Sequence, residues 1–156
     1  MNTSTATRAI HLIDIENMAG TGHVTEDVVR NIRANYIKIV GIGDNDHVVI
    51  AASHHNALAA GFGWPGARLL CRSGPDGADR ELKDVMDHER LHQRYERCYL
   101  ATGDGGFADS IAALSRRGLR VGVIAPINRL SAKLKLAATA SRELDLIRPT
   151  SSQRTA

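Results

Sequence analysis

The chain has 156 residues, of which 43% are hydrophobic and 24% are charged. This size and balance predict one globular domain, and no apolar run approaches the roughly 20 residues that a membrane span needs. The polar start MNTSTATRAI lacks the apolar stretch of a secretory signal, so we expect a cytoplasmic protein without membrane association. Two cysteines, Cys71 and Cys98, are too few for a disulfide framework or a zinc cage.

The charge is unevenly distributed along the chain. The net charge is +3, but residues 1–114 hold 11 Lys and Arg against 15 Asp and Glu, whereas residues 115–156 hold 9 against 2. An acidic body with a basic last quarter suits a protein that concentrates metal ions at one place and binds a polyanion at another. A basic face that only keeps the protein in solution explains the same distribution equally well.

Short apolar runs alternate with segments of helical periodicity. Polar, non-periodic ends predict disordered tails at 1–8 and 149–156 around one domain at 9–148. We predict strands at 9–14, 47–52, 67–71, 98–101 and 119–125, and a last short strand at 144–147. We predict helices at 25–41, 56–62, 78–87, 107–117 and 131–140, with the third open to continuation towards Gln93. This alternation predicts a mostly parallel sheet between two layers of helices, a three-layer α/β/α domain.

Carboxylates stand where such a fold binds its ligands, beyond the carboxyl ends of the strands. Asp14 ends the first strand, Asp104 follows the fourth, Asp79 opens the helix before the fourth strand, and Asp109 lies in the first turn of the helix after it. If the first and fourth strands are neighbours, three or four carboxylates converge. Such a cluster selects Mg²⁺ or Mn²⁺ and suits metal-assisted hydrolysis of a phosphate ester. Taken singly, each Asp is explained more simply as a helix cap or turn former.

Several motifs, in order along the chain, resemble the NYN domain, a branch of the PIN-like nuclease superfamily. The segment 13–17 (IDIEN) resembles the family's opening D-x-x-N element, and 102–107 (TGDGGF) resembles its S-G-D-x-D-F element. Gly77-Ala78-Asp79 is similar to the middle acidic element, and 131–147 is similar to the closing helix and strand. The likeness covers residues 9–147.

The resemblance implies a PIN-like sheet in the order 3-2-1-4-5 and a Mg²⁺- or Mn²⁺-dependent endoribonuclease site. It implies that Asp14, Asp79 and Asp104 are the metal ligands. It also implies that Asn17 orients the first acid or contacts a phosphate, and that Thr102 supports the site through its hydroxyl. The expected partner is RNA, single-stranded or structured.

The chain departs from this pattern at Gly106, where the family often has a second acid. Asp109, one turn later, or Glu16, if its backbone turns inward, are the residues that could substitute. Without this acid, it is open whether a second metal ion binds and whether the site is catalytically active. The alternative is therefore a catalytically degraded NYN-type RNA-binding or assembly module. A phosphatase or phospho-receiver on the same plan would need a lysine after a late strand, and residues 126–129 (PINR) offer none.

The basic last quarter supplies candidates for contact with the RNA backbone, since neutralising phosphates dominates such affinity. We predict this role for Arg129, Lys133 and Lys135 beside the sheet, and for Arg116 and Arg117. A solvated helix face explains these residues nearly as well. An edge strand or an apolar helix face would allow two copies to pair as a homodimer.

Overall fold

Strands and helices alternate along the chain in the computed structural model, which describes residues 7–145. The strands are β1 (Ala9–Asp14), β2 (His47–Ala52), β3 (Arg68–Cys71), β4 (Arg97–Ala101), β5 (Arg120–Pro126) and β6 (Ala140–Leu144). The helices are α1 (Ile15–Ala19), α2 (Glu26–Ile39), α3 (Ala57–Gly63), α4 (Gly77–His88), α5 (Leu91–Arg94), α6 (Ala108–Arg116) and α7 (Ala132–Ala137). The predicted tails lie outside the described residues, apart from Thr7 and Arg8.

The six strands form one parallel sheet in the order β3-β2-β1-β4-β5-β6. The predicted α/β class and the order 3-2-1-4-5 are confirmed, and a sixth strand extends the sheet beyond β5. Strand β1 lies at the centre, where Asp14 pairs in register with Ala51 of β2 and Ile13 pairs with Ala101 of β4. The strand order reverses at β1, so a crevice opens beyond the carboxyl ends of β1 and β4.

Alternating side chains of the buried strands supply two cores, one on each face of the sheet. Leu12 and Leu100 belong to the core packed against α4 and α6, whereas Ile13 belongs to the core packed against α1, α2 and α3. The strands are apolar on both faces because helices cover both, as is usual for parallel sheets. None of the helices in residues 7–145 has the length and apolarity that crossing a membrane requires.

A histidine within β1 anchors the amino-terminal half of the sheet. His11 is fully buried, with Nδ1 2.7 Å from the Tyr36 hydroxyl and Nε2 2.8 Å from Asp46 Oδ2. Its ring stacks on Tyr99 at a centroid distance of 5.1 Å. Burial lowers the pKa of His11 in spite of the opposing effect of Asp46. The residue therefore fixes β1 against α2 and the loop before β2.

The end of the described chain differs from the prediction. The helix predicted at 131–140 ends at Ala137, and the last strand is Ala140–Leu144 rather than 144–147; residues 146 and 147 lie outside the described range. The Thr139 N–H donates to the Val121 carbonyl over 2.9 Å, and Ala140 pairs with Gly122. The open edge of β5 offers backbone partners, and these override the helical propensity of the alanine-rich segment.

Two other helix boundaries compare differently with the prediction, namely the start of α2 and the end of α4. Thr25 caps α2 as predicted, because its side chain accepts a hydrogen bond from the Val28 N–H. Helix α4 does not continue towards Gln93, since Arg90 adopts the left-handed conformation with φ 52° and starts the separate helix α5. No glycine or proline marks that break in the sequence.

Candidate active site at the carboxyl edge of the sheet

A cleft of about 230 Å³ opens at the carboxyl edge of the sheet. It lies between the end of β1, the end of β2, the loop that enters α4 and the loop that follows β4. Acidic and small residues line it: Asp14, Glu16, Asn17, Ser53, Gly74, Asp76, Gly77, Ala78, Asp79 and Asp104. The cleft therefore occupies the position at which folds of this class bind ligands.

Three of the predicted acids come together in this cleft. Asp14 is the last residue of β1 and is 3% exposed, Asp104 follows β4, and Asp79 lies in the first turn of α4. The Asp79 carboxyl is close enough to the carboxyls of both Asp14 and Asp104 to change their pKa values. Because β1 and β4 are parallel neighbours, Asp14 and Asp104 lie side by side at the same edge of the sheet. Helix α4 begins over this edge and adds Asp79.

The electrostatics of the three carboxyls are those of a cluster that shares a proton. Burial raises the pKa of Asp14 to about 6. Burial, reinforced by the neighbouring Asp104 and Asp14, raises the pKa of Asp79 to about 8. The hydrogen bond from Asp79 holds the pKa of Asp104 below its usual range. At neutral pH the proton therefore resides on Asp79, because carboxylates this close do not all ionise without a compensating cation.

Buried hydrogen bonds fix the acids in place. The Thr102 hydroxyl, which is fully buried, donates to Asp14 Oδ2 over 3.0 Å and accepts the backbone N–H of Asp104 over 3.2 Å. Asn17 Oδ1 accepts the Gly103 N–H over 2.8 Å. Thr102 thus links the two acids of neighbouring strands, and Asn17 ties the start of α1 to the loop after β4.

Glu16 does turn towards the cleft, but both of its oxygens already have partners. They accept hydrogen bonds from the Ser53 N–H at 2.6 Å, the Ser53 hydroxyl at 3.1 Å and the Asn56 amide at 2.9 Å. Although burial opposes the change, these hydrogen bonds lower the pKa of Glu16. Glu16 is therefore a fixed anion that joins α1 to the end of β2.

The structure does not bring every candidate acid to the cleft. Asp109 is exposed in the first turn of α6 and is not among the lining residues. Ser53 and Asp76 do line the cleft, although the sequence did not single them out. The position of Ser53 directly after β2 was the available signal, since β2 also ends at this edge. Asp76 adopts the left-handed conformation at φ 59°, within the turn before α4.

Part of the predicted RNA-binding group packs beside the acidic loop. The Ser131 N–H donates to the Gly103 carbonyl over 3.1 Å, so the loop after β5 lies directly on the loop after β4. A Cβ added to Gly103 would stand only 2.2 Å from the Arg129 carbonyl oxygen. The Cβ of Lys133 lies 3.8 Å from the place a Cβ on Gly105 would take. Arg129 and Lys133 thus arise from backbone next to the cleft.

The other basic candidates lie elsewhere. Lys135 is exposed in the last turn of α7. Arg116 and Arg117 stand at the carboxyl end of α6. Because α6 carries the chain from the end of β4 back to the start of β5, these two arginines lie at the opposite edge of the sheet from the acids. Their predicted contact with RNA stays a prediction.

The donor set suits a hard divalent cation in its chemistry. Asp14, Asp79 and Asp104 offer carboxylate oxygens with no sulfur or imidazole among them, which is the donor type that Mg²⁺ and Mn²⁺ prefer. As the side chains stand in residues 7–145, no group of three or more His, Cys, Asp or Glu residues has the spacing of a metal site. Because burial and the neighbouring carboxyls raise the pKa of Asp79, a bound cation would have to displace a proton from this side chain.

Comparisons with known proteins bear on the architecture. No family model and no curated protein matches the chain. A solved structure of a protein of unknown function from Vibrio parahaemolyticus is similar over 93% of this chain and 97% of its own, with a TM-score of 0.59 and 16% identity. This likeness shows the fold alone. A structure of the MAR1 ribonuclease from Caenorhabditis elegans aligns with 88% of this chain and 76% of its own, with a TM-score of 0.45 and 12% identity.

Proposed function

We propose that this chain is a metal-dependent endoribonuclease that hydrolyses RNA phosphodiester bonds. The observation that supports this most is the meeting of Asp14, Asp79 and Asp104 from three separate elements in one cleft, where one of them must keep a proton unless a cation replaces it. The resemblance of the motifs around these residues to the NYN domain supports the same activity.

In this reaction the residues of the cleft would bind the metal ion and fix the orientation of its ligands. Asp14, Asp79 and Asp104 would bind Mg²⁺ or Mn²⁺, which when bound supplies polarisation of the scissile phosphate and a more acidic water. Thr102 holds Asp14 in one orientation through its hydroxyl, and Asn17 holds the Gly103 N–H. A carboxylate of the cleft would take the proton of the attacking water.

The test is cleavage of a labelled single-stranded RNA in the presence of Mn²⁺. We expect Asp104→Asn to lower the rate at least about 100-fold, because it removes a charged ligand while keeping the shape of the side chain. The matched control is Asp109→Asn, which changes an exposed acid outside the cleft and is expected to cleave at the wild-type rate. Circular dichroism would show that both variants fold. Cleavage by Asp104→Asn at the wild-type rate would remove the mechanism.

A specific feature favours a second function, an RNA-binding or assembly module without catalysis. Gly106 is exposed and supplies no second acid beside Asp104 in the loop after β4, so the site has one carboxylate fewer than the motif it resembles. Calorimetric titration with Mn²⁺ separates the two functions. RNA binding without Mn²⁺ binding at near-millimolar concentration would support the module, whereas Mn²⁺ binding that is lost in Asp104→Asn would support the nuclease.

A further inference from the structure

A lysine that the motifs do not include stands at the rim of the acidic cleft. Lys83 follows Asp79 by four residues on α4, so both side chains leave the same face of the helix one turn apart. The residue is half-buried, and its Nζ lies 5.4 Å from the centroid of the buried Phe107 ring, which is close enough for a cation–π contact. The ammonium is therefore directed towards the loop after β4.

The Lys83 ammonium and the predicted metal ligand Asp104 lie on two sides of the space beside Gly106. A Cβ added to Gly106 would lie 3.3 Å from Lys83 Nζ and 3.4 Å from Asp104 Oδ1. The two groups thus flank the same open space, at the residue where the resembling motif has its second acid. Within residues 7–145 no carboxylate lies within 4.0 Å of the Lys83 ammonium, although its positive charge contributes to lowering the pKa of the neighbouring Asp104.

We propose that Lys83 is a catalytic residue whose ammonium binds a non-bridging oxygen of the scissile phosphate, at the side of the site where a second acid would otherwise recruit a second metal ion. This inference rests on the proposed nuclease function. An ammonium is a compact point charge with three donors, and it is a regular partner of phosphate oxygens.

The chemistry explains what such a charge does. As the oxygen of the attacking water bonds to phosphorus, the bond from phosphorus to the leaving oxygen breaks, and negative charge grows on the non-bridging oxygens. A fixed cation at those oxygens stabilises the transition state more than the ground state. The proton of the attacking water passes to a carboxylate of the cleft, the leaving oxygen takes a proton from solvent water and ends as a hydroxyl, and Lys83 stays protonated throughout.

The geometry also explains why glycine suits position 106. Any side chain there would meet both the Lys83 ammonium and the Asp104 carboxylate, and an acidic one would form an ion pair with Lys83. The space that the missing acid leaves is thus what keeps the ammonium available to a phosphate. On this basis the site needs a single divalent ion together with Lys83.

The experiment measures kcat and KM for single-stranded RNA with Mn²⁺ in the wild-type protein and in Lys83→Met, Lys83→Arg, Asp104→Asn and the control Lys38→Met. Lys38 lies in the last turn of α2, at the opposite edge of the sheet. We expect Lys83→Met to lower kcat about 100-fold with KM changed less than about threefold, and Lys83→Arg to recover at least about a tenth of the wild-type kcat. Lys38→Met should match the wild type.

A second measurement does not depend on activity. Calorimetry should give one Mn²⁺ per chain for the wild type, and an affinity that is unchanged or tighter in Lys83→Met, because a neighbouring positive charge has been removed. Two Mn²⁺ ions per wild-type chain would overturn the proposal. A kcat of Lys83→Met within about twofold of the wild type, with Asp104→Asn inactive, would overturn it and leave the nuclease function standing. A wild-type protein that cleaves no RNA would refute the nuclease function, and with it the role of Lys83.

Discussion

The raised pKa of Asp79 predicts that the metal-free protein loses stability as the pH rises. The pKa of this carboxyl rises to about 8 in the folded chain, from an ordinary value of 3.8, chiefly through burial and through the neighbouring Asp104 and Asp14. Between these two values the folded state binds more protons than the unfolded state. Stability is therefore fully present below about pH 4 and is lost as the pH rises towards about 8.

The size of the effect follows from the same two values. Their difference is about 4.2 pKa units, and at about 1.36 kcal/mol for each unit it sets a ceiling of about 6 kcal/mol. Asp79 is half-exposed, and solvent screening reduces this contribution to about 2 kcal/mol. Asp79→Asn keeps an N–H donor beside Asp104 without a charge that can ionise. We therefore expect it to be more stable than the wild type by about 0.5 kcal/mol at pH 5 and by about 2 kcal/mol at pH 8.5.

The assay is urea unfolding in EDTA from pH 5 to pH 9. The single tryptophan, Trp64, is 3% exposed and packs near Tyr36 on the far side of the sheet from α4, so its fluorescence reports unfolding without touching the cleft. Asp109→Asn serves as the control, since it changes an exposed acid. Saturating Mn²⁺ should stabilise the wild type and not Asp79→Asn. Parallel stability–pH curves for the wild type and Asp79→Asn would refute the shared-proton interpretation.

Two further substitutions test the frame around the acids. Thr102→Val removes the hydroxyl that donates to Asp14, so the pKa of Asp14 should rise above about 6 in carboxyl-carbon NMR titrations. The affinity for Mn²⁺ should fall about 10- to 100-fold. An unchanged titration would show that this hydrogen bond does not stabilise the ionised form of Asp14. Gly103→Ala places a methyl group 2.2 Å from the Arg129 carbonyl oxygen and should cost at least about 2 kcal/mol of unfolding free energy, with wild-type stability counting against the observed loop packing.

Local sequence patterns predict the buried strands well because burial on both faces leaves an uninterrupted apolar run. The predicted bounds of β2, His47–Ala52, match the structure. Strand β6 could not be found in this way, since Ala140–Leu144 is mostly exposed and rich in helix-forming residues. Only the free edge of β5 determines that this segment is a strand, and a pattern of single residues does not contain that edge.

The site could be anticipated to the extent that topology determines it. Asp14 and Asp104 follow strands that lie side by side, so their meeting is a consequence of the strand order. The spacing of four residues between Asp79 and Lys83 does not single out the lysine, because only the packing of α4 shows that its ammonium lies beside Gly106 and the Phe107 ring. Charge alone predicts that the arginines at the end of α6 contact RNA, whereas the path of that helix places them at the edge of the sheet opposite the acids.

If the proposed function holds, the placement of charge suits a polymeric substrate better than a small phosphate ester. The loop after β4, which carries Asp104, and the loop after β5, which carries Arg129, come from different parts of the sequence, yet the Ser131–Gly103 hydrogen bond joins them. A small ester would need only the acids and one cation, both of which the cleft and Lys83 can supply. A small ester bound in the cleft would not contact basic residues outside it, such as Lys133. A chain of phosphates that runs past the cleft would reach them. Neutralising Lys133 by substitution should therefore weaken RNA binding, and the loss of affinity should be larger at low salt than at high salt. The same substitution should change the hydrolysis of a mononucleotide ester only slightly.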